Sequence, residues 1–338
     1  METFSSDQAV DLAVVRRSGF VESRHRGSAV VLAPDGSVAF SVGAPQELIF
    51  PRSTLKPFQA VAAMKAGAAL RGEQVAIAAA SHTATFDHLD TVTSILRAAG
   101  LGPEALQCPP DWPQDEDTRT WLARTGRGQN RMCMNCSGKH AAFLLACVTN
   151  GWPTDSYLDP EHLLQRLVVE TVEEFAGETV SHLGVDGCGA PLPAISLTGL
   201  ARMYSTLGRA ARNIQADARA ATVATSMLDY PEYVQGPGRS NTVIMEELDV
   251  ITKLGAEGVL GLGTRSGWSV AIKMLDGSSR ANSLVGLTLL AHAGAISQAD
   301  ADRVLARVLA PITGAGRPVG AVELAPELVG LLEGPVPA

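Results

Sequence analysis

A serine and a lysine three residues apart form the first group in this sequence that could do chemistry, in the segment Arg52-Ser53-Thr54-Leu55-Lys56-Pro57. A serine hydroxyl becomes a nucleophile when a neighbouring base takes its proton, and an unprotonated lysine in a Ser-x-x-Lys arrangement can be that base. Prolines at both ends of the segment predict a helix that begins here, with Ser53 near its N-cap. A capping serine followed by a solvated lysine has the same short pattern, so this motif needs support from other residues.

Lysine is scarce in this chain, which makes the position of each lysine informative. Lysine and arginine together number 27, but only five of these residues are lysines. A lysine can act as a neutral amine, whereas an arginine effectively never loses its proton. We therefore expect some of the lysines to perform chemistry that arginine cannot. The five are Lys56, Lys65, Lys139, Lys253 and Lys273.

Two further motifs place a hydroxyl and an amine where a cleft could form. Ser81 and His82 directly follow the apolar run 75–80, so a buried segment could deliver the Ser81 hydroxyl into a site. A capping role for Ser81 and Ser–His catalysis through His82 are the alternatives, although no orienting acid lies nearby in the sequence. Downstream, Lys253 begins a Lys-x-Gly motif beside a predicted edge strand, as in penicillin-recognising hydrolases that also carry Ser-x-x-Lys.

Cysteine and lysine occur together at the start of an apolar helix, in Asn135-Cys136-Ser137-Gly138-Lys139-His140. Spacing of three residues puts Cys136 and Lys139 on one face of that helix. Cys133 and Cys136 also form a C-x-x-C pattern that would suit a redox or zinc site, but a single pair of this kind is weak evidence for either. A buried cysteine at a helix start is the alternative interpretation.

A fifth motif, Asp186-Gly187-Cys188-Gly189-Ala190-Pro191, surrounds a cysteine with two glycines. Glycines at this spacing predict a tight turn that a ligand can approach closely, with Asp186 and Cys188 within its reach. An ordinary turn would have the same composition. Cys108 and Cys147 carry no such context, and we interpret both as structural residues.

Hydrophobic periodicity predicts the elements that must position these side chains. Residues 28–42 and 258–275 each predict a β-hairpin with a glycine-containing turn. Between them, the chain from roughly 55 to 230 is mostly helical, and 108–131 is an irregular connection, either a lid or a solvated loop. The predicted helices cover 57–70, 87–99, 137–149, 161–176, 208–228, 281–295 and 298–310.

Strands near both ends of the chain with a helical middle predict an α+β fold, in which a mixed or antiparallel sheet is flanked by helices and carries a large inserted α-helical subdomain. We expect a single catalytic domain over residues 1–338. Its sheet subdomain would comprise about 10–55 and 235–338, and its helical subdomain about 56–234.

Composition excludes several classes of partner. A charged fraction of 18% with 46% hydrophobic residues argues against disorder, and a net charge of −8 argues against nucleic acid or an anionic membrane as the main partner. The sequence has no uninterrupted apolar run of about 18 residues and no signal-peptide pattern at its first residues. Because the five cysteines lack the regular spacing of a disulfide framework, we expect reduced cysteines and a cytoplasmic location.

Taken in order, these motifs resemble the rhizobial-type, thermolabile L-asparaginase II family. The resemblance extends over about residues 15–280, and Cys-Ser-Gly-Lys-His together with Asp-Gly-Cys-Gly is its most specific part. After Ser81 and His82 the family tends to have a small residue, a glycine and an acid, so its substrate contacts are not carried over to Thr83-Ala84-Thr85. The matching segments are 21–27, 52–57, 81–82, 135–140, 186–191, 253–258, 271–273 and 276–277.

This resemblance implies a fold like that of serine β-lactamases and glutaminases, and hydrolysis of L-asparagine to L-aspartate and ammonia. It also implies two Ser–Lys pairs, Ser53 with Lys56 and Ser81 with Lys253. We hypothesise that Ser53 attacks the side-chain amide carbon while neutral Lys56 takes its proton, and that Ser81 and Lys253 relay a proton to the departing ammonia. Which serine is the nucleophile is left open at this stage.

The same resemblance implies a zinc ion on Cys136, Lys139 and Cys188, a set in which two thiolates suit Zn²⁺ and a fourth position is left to water. It further implies a homodimer. The residues that would hold the charged α-amino and α-carboxylate groups of the substrate are Arg52, His140, Asp186 and Gly187.

Two other functions are compatible with these residues. A glutaminase or a β-lactam-type amidohydrolase could use the same machinery on another amide. A zinc-dependent binding or redox protein would use the Cys–Lys–Cys set alone, without catalysis. The resemblance gives no role to Cys133 or Lys273, and Lys65 is expected to be an ordinary surface cation.

Overall fold

Strands lie near both ends of the chain and helices fill its middle in the computed structural model, which describes residues 2–333. This order confirms the predicted α+β fold, whereas the division into subdomains at 56 and 235 stays a prediction. The strands are β1 Val10–Arg17, β2 Phe20–Leu32, β3 Val38–Val42, β4 Leu48–Ile49, β5 Leu183–Val185, β6 Pro191–Pro193, β7 Ile195–Ser196, β8 Val250–Gly255, β9 Val259–Thr264, β10 Ser269–Met274, β11 Ile312–Gly314 and β12 Arg317–Leu324.

The helices of the described residues fall into a middle group and a C-terminal group. Among residues 2–333, none is both long and apolar enough to cross a lipid bilayer. They are α1 Lys56–Lys65, α2 Glu73–Ala78, α3 Phe86–Ala98, α4 Glu116–Arg124, α5 Ser137–Asn150, α6 Leu163–Ala176, α7 Leu197–Ala210, α8 Ala218–Asp229, α9 Pro231–Val234, α10 Ser240–Leu248, α11 Asn282–His292, α12 Gln298–Val308 and α13 Pro326–Glu333.

The main sheet is antiparallel, with strands in the order β11-β12-β1-β2-β10-β9-β8, and β3 adds to β2 beside this path. The two predicted hairpins are confirmed: Ala29 pairs with Val42 across β2 and β3, and Val270 pairs with Leu262 across β10 and β9. Strand β8, which the sequence analysis did not predict, is the last strand of the path, so Lys253 lies on an edge strand and not beside one.

Alternating side chains of the sheet build two hydrophobic layers, as expected for a period of two residues along a strand. Val30 and Leu32 of β2 pack toward the middle helices with Phe58 of α1. Ala29 and Val31 face the other way, onto α11 and α12. The sheet is therefore covered on both faces, and the face toward the middle helices carries Lys253.

Three predicted elements differ from the structure. The helix predicted over 208–228 is wrong, because α7 ends at Ala210, Arg212 has a positive φ of 56°, and Asp217 starts α8 as its N-cap. The connection 108–131 is not irregular throughout, because α4 forms within it, capped by the Asp115 side chain. Helix α1 also ends at Lys65, short of the predicted residue 70.

Candidate active site

Ser81 lies between two buried lysine amines. Its Oγ is 2.8 Å from Nζ of Lys56 and 2.8 Å from Nζ of Lys253. Both lysine residues are 0% exposed, whereas Ser81 is partly exposed. Lys56 comes from the first position of α1, Lys253 from β8, and Ser81 from the segment after α2. The structure thus brings together three of the four predicted catalytic side chains through hydrogen bonds.

The two lysines differ in their hydrogen-bond partners. Lys56 Nζ also contacts Asn135 Oδ1 at 3.2 Å, so both of its partners can accept a hydrogen bond. Lys253 Nζ donates to the Leu254 carbonyl at 2.8 Å. Burial, followed by the positive charge of Lys56, lowers the pKa of Lys253 well below its usual value. Lys253 is therefore the amine best suited to accept the Ser81 hydroxyl proton.

Ser53 lies outside this hydrogen-bonded chain. The predicted N-cap role is wrong, because residues 52–55 form a 3₁₀ turn and Leu55 is the N-cap of α1. The predicted Ser53–Lys56 pairing is not formed as a hydrogen bond, because the buried Lys56 side chain reaches across to Ser81 and Asn135 instead. Ser53 is partly exposed, so its hydroxyl remains open to a ligand.

Neighbouring elements hold the Ser53 turn in place. Tyr204 of α7 donates its hydroxyl to the Thr54 carbonyl at 2.8 Å. Gly255 of β8 lies so close that a Cβ there would be 2.7 Å from the Pro51 carbonyl oxygen. Arg52 has a φ of +56°, which is uncommon for a residue with a side chain. The turn is therefore held by close contacts at the cost of local backbone strain.

A second cluster joins the start of α5 to the turn at 186–191. Lys139 Nζ lies 3.1 Å from Cys188 Sγ, and both residues are buried. Possible ligand atoms of Cys136, Asp186 and Cys188 all lie within 4.8 Å of one another. The structure therefore brings together the three predicted metal ligands and adds the Asp186 carboxylate, which the sequence analysis had treated as a substrate contact.

Charge in this cluster is shared between sulfur and amine. The Cys136 thiol donates to Asn135 Oδ1 at 3.0 Å. The nearby Cys136 sulfur, together with the charge of Lys139, lowers the pKa of Cys188 despite burial. The nearby Cys188 sulfur and burial raise the pKa of Cys136. Burial lowers the pKa of Lys139, but negative charge on Cys188 and Cys136 raises it by more. These two directions favour a proton on the Lys139 amine and a deprotonated Cys188 sulfur, an ammonium–thiolate pair 3.1 Å apart.

The predicted substrate-binding residues adjoin this cluster. Arg52 Nε is 2.8 Å from Asp186 Oδ1, so these two side chains are already paired with each other. A Cβ on Gly187 would be 3.8 Å from Arg52 Nη2, which leaves room beside the guanidinium. His140 Nδ1 lies 2.7 Å from the Tyr157 hydroxyl, and its Nε2 is buried without a partner among residues 2–333.

Other candidates from the sequence lie elsewhere. His82 does not contact Ser81 through a hydrogen bond; its Nε2 lies 2.9 Å from Ser137 Oγ, and burial lowers its pKa well below the usual value. Cys133 packs in a small separate cluster with Leu122, so the C-x-x-C pattern does not form a sulfur pair. Sequence reasoning missed Tyr157 as a partner of His140 and Tyr204 as a support of the Ser53 turn, since neither residue belongs to a local motif.

Comparison with known proteins identifies the family. Among curated proteins, none matches this sequence. Two similar solved structures are Mglu in its tris and glutamate form (14% identity, TM-score 0.46, 85% of this chain and 63% of that chain) and a protein of Bacteroides dorei DSM 17855 assigned as a beta-lactamase (14%, TM-score 0.38, 73% and 84%). This chain covers 67% of the length of the chain in another Mglu structure. The L-asparaginase II family model matches residues 13–324. Because the family model matches most of the chain and the motifs lie within the matched residues, this chain belongs to the L-asparaginase II family and is an amidohydrolase.

Proposed function

We propose that this protein is an L-asparaginase, which hydrolyses the side-chain amide of L-asparagine to give L-aspartate and ammonia. The observation that carries the proposal is Ser81 held between two buried lysines, of which Lys56 lies one helical turn after Ser53 in the chain. Family membership supports an amide substrate, and the name of the family supports asparagine over glutamine or a β-lactam.

Ser53 is the proposed nucleophile. Its Oγ attacks the amide carbon, and its proton enters the chain of hydrogen bonds from Lys56 through Ser81 to Lys253, in which Lys253 is the neutral amine. Lys56 passes one proton to Ser81 as it takes the proton of Ser53. The departing ammonia then takes a proton back from this chain, and water hydrolyses the acyl ester by the reverse path.

Attack by Ser81 is the alternative, and its two lysine contacts favour it. In that case Lys253 would take the proton of Ser81 directly, and Ser53 would contact the substrate. Free-enzyme hydrogen bonds often tighten only when substrate binds, so an open Ser53 hydroxyl does not weigh against its role.

Trapping of the acyl-enzyme distinguishes the two serines. Wild type, Ser53→Ala and Ser81→Ala would be assayed for ammonia release from asparagine, glutamine and a β-lactam, and quenched samples would be analysed by peptide mass spectrometry. We expect an aspartyl ester on the peptide with Ser53 and loss of turnover in both variants. An ester on Ser81 would reverse the assignment, and a clear preference for glutamine or the lactam would refute the asparaginase proposal.

We also propose that Cys136, Lys139 and Cys188 hold a zinc ion. Support comes from the chemistry of the donors: two sulfurs and an amine, all buried, with the Asp186 carboxylate alongside as a further donor. Lys139 would have to bind as the neutral amine, so metal binding would release its proton. Bound there, zinc would supply a Lewis acid that neutralises the thiolate charge and helps to fix the substrate.

Substrate recognition is proposed to use the residues around this cluster. Arg52 would take the α-carboxylate, since its terminal nitrogens remain available after its Nε bonds Asp186. His140 would contribute from the buried side and Gly187 would leave space for the backbone of the substrate. The homodimer and the cytoplasmic location remain predictions from the sequence.

A further inference from the structure

Glu257 presents an unused carboxylate next to Arg52. Its Oε1 lies 3.9 Å from Arg52 Nη1, and its side chain is 65% exposed. No hydrogen bond to the Glu257 carboxylate is formed within residues 2–333, so its oxygens are open to a ligand. The residue lies four positions after Lys253, in a segment for which the reaction described above has no use.

The backbone of Glu257 is anchored in the turn between β8 and β9. Glu257 has a φ of +59°, a conformation that costs free energy in a residue with a side chain. Lys273 Nζ donates to the Glu257 carbonyl at 2.5 Å and to the Met274 carbonyl at 3.0 Å, which anchors the strained turn to β10. This contact also gives Lys273, left without a role by the sequence, a structural one.

Gly277 provides space for the carboxylate. A Cβ on Gly277 would lie 2.6 Å from Glu257 Oε2, so any larger residue there would displace the side chain. Gly277 itself has a φ of +77°. The strained turn and the lysine anchor therefore hold the Glu257 backbone, and this glycine leaves room for its side chain near Arg52.

Asp186 cannot offer the same free carboxylate. One of its oxygens is 2.8 Å from Arg52 Nε, and the other is 3.5 Å from Cys188 Sγ. The second oxygen thus faces the sulfur cluster, and the Asp186 side chain is only 12% exposed, against 65% for Glu257. Of the two carboxylates that face Arg52, only Glu257 is available to a second positive group.

We propose that Glu257 binds the α-ammonium group of the substrate amino acid while Arg52 binds its α-carboxylate, which makes Glu257 a specificity-determining residue. The inference rests on the proposed function, because it needs an amino-acid amide as substrate. The ammonium and carboxylate groups, both bonded to the α-carbon of the substrate, match a carboxylate and a guanidinium about 4 Å apart. The site then selects α-amino acids over amides that lack the amino group.

Discrimination against a deaminated substrate tests this role. Wild type, Glu257→Gln and a control, Glu246→Gln, would be assayed on asparagine and on succinamic acid, which is asparagine without its α-amino group. Glu246 is exposed on α10 and has no contact with the site residues. In Glu257→Gln we expect kcat/KM to fall about tenfold for asparagine, mainly through KM, and to stay the same for succinamic acid. Glu246→Gln should keep the wild-type ratio.

Each outcome has a separate meaning. An unchanged ratio of the two kcat/KM values in Glu257→Gln, with an active wild type, overturns the role of Glu257 and leaves the asparaginase proposal intact. Equal losses on both substrates also overturn it, because they indicate a general structural effect. A wild type that does not hydrolyse asparagine refutes the proposed function, and the role of Glu257 fails with it.

Discussion

The two lysines that contact Ser81 differ in their chemical environment, although both are buried and both lie 2.8 Å from its hydroxyl. Lys253 has the lowered pKa and a backbone carbonyl that accepts one of its hydrogens. Lys56 has two oxygen atoms within hydrogen-bond distance of its amine. In the proposed mechanism, an acceptor amine and a donor amine on one hydroxyl polarise its O–H bond along a defined direction.

Replacement of Lys253 by arginine tests the need for a neutral amine. Arginine retains the positive charge but cannot lose its proton, so we expect Lys253→Arg to lower kcat by about 100-fold or more. The matched control is Lys65→Arg, because Lys65 lies away from the site, in an ion pair with Glu174. Steady-state ammonia release from both variants measures the difference. Activity within a factor of about two in Lys253→Arg would exclude proton acceptance by this residue.

The lowered pKa of Lys253 predicts how activity and stability depend on pH. Because the pKa of Lys253 is lowered, its amine becomes protonated only as the pH falls through that lowered value, and kcat/KM should fall with it. Unfolding responds in a related way: between the lowered pKa and the ordinary value of 10.5, the unfolded chain binds a proton that the folded chain does not. The free energy of unfolding should therefore rise with pH over this window. Denaturant titrations at several pH values should show a smaller slope in Lys253→Met, and an equal slope would contradict the shift.

At the scale of elements, the close approach of α7 to β9 positions the Ser53 turn. A Cβ on Gly261 would be 2.3 Å from the Tyr204 ring, and one on Gly263 would be 2.0 Å from the Tyr204 carbonyl oxygen. These glycines allow Tyr204 to lie flat against the strand, from where its hydroxyl reaches the Thr54 carbonyl. The sequence pattern of β9 predicted the strand, but nothing local in it indicated that two of its glycines accommodate Tyr204, 57 and 59 residues upstream.

Substitution of Gly261 should therefore affect both stability and activity. We expect Gly261→Ala to lower the free energy of unfolding by about 3 kcal/mol, because the new methyl group must displace the buried Tyr204 ring. Loss of the Thr54 contact should also reduce kcat. The control is Gly128→Ala, where a Cβ would meet no atom within 4 Å, and its stability should change by less than about 0.5 kcal/mol. Urea denaturation measures both, and equal values would contradict the packing argument.

Across the whole molecule, hydrophobic periodicity was sufficient for two hairpins and several helices, but not for strands β1, β8, β11 and β12 or for the contacts of the site. The hairpins at 28–42 and 258–275 and the helix at 137–149 could be predicted because each has a strong local pattern. The break between α7 and α8 was missed because Ala-rich sequence continues through it, and only the Asp217 cap marks it. The hydrogen bond between Lys56 and Ser81, 25 residues apart, depends on packing between elements. Sequence spacing could not predict it, and only the family resemblance assigned these residues to one site.

The proposed zinc ion would join parts of the chain that packing alone holds together. Cys136 and Lys139 lie at the start of α5, and Cys188 lies 49 residues beyond Lys139 in the turn between β5 and β6. A ligand that binds only the folded protein stabilises it by mass action, by about 4 kcal/mol at a thousand times its dissociation constant. We therefore expect added zinc to raise the melting temperature of the metal-free protein by several degrees.

Cysteine variants identify which sulfurs cause this rise. Cys188→Ser should abolish the zinc-dependent shift in melting temperature and the zinc content measured by atomic emission, because it removes the sulfur that contacts Lys139. Cys133→Ala is the matched control: it removes the other sulfur of the C-x-x-C pattern, which packs with Leu122 outside the cluster, so the shift should persist. Loss of the shift in Cys133→Ala with retention in Cys188→Ser would move the metal to the C-x-x-C pair. Retention in both would exclude either sulfur as a required ligand, and the cluster would then be an ammonium–thiolate pair with a structural role alone.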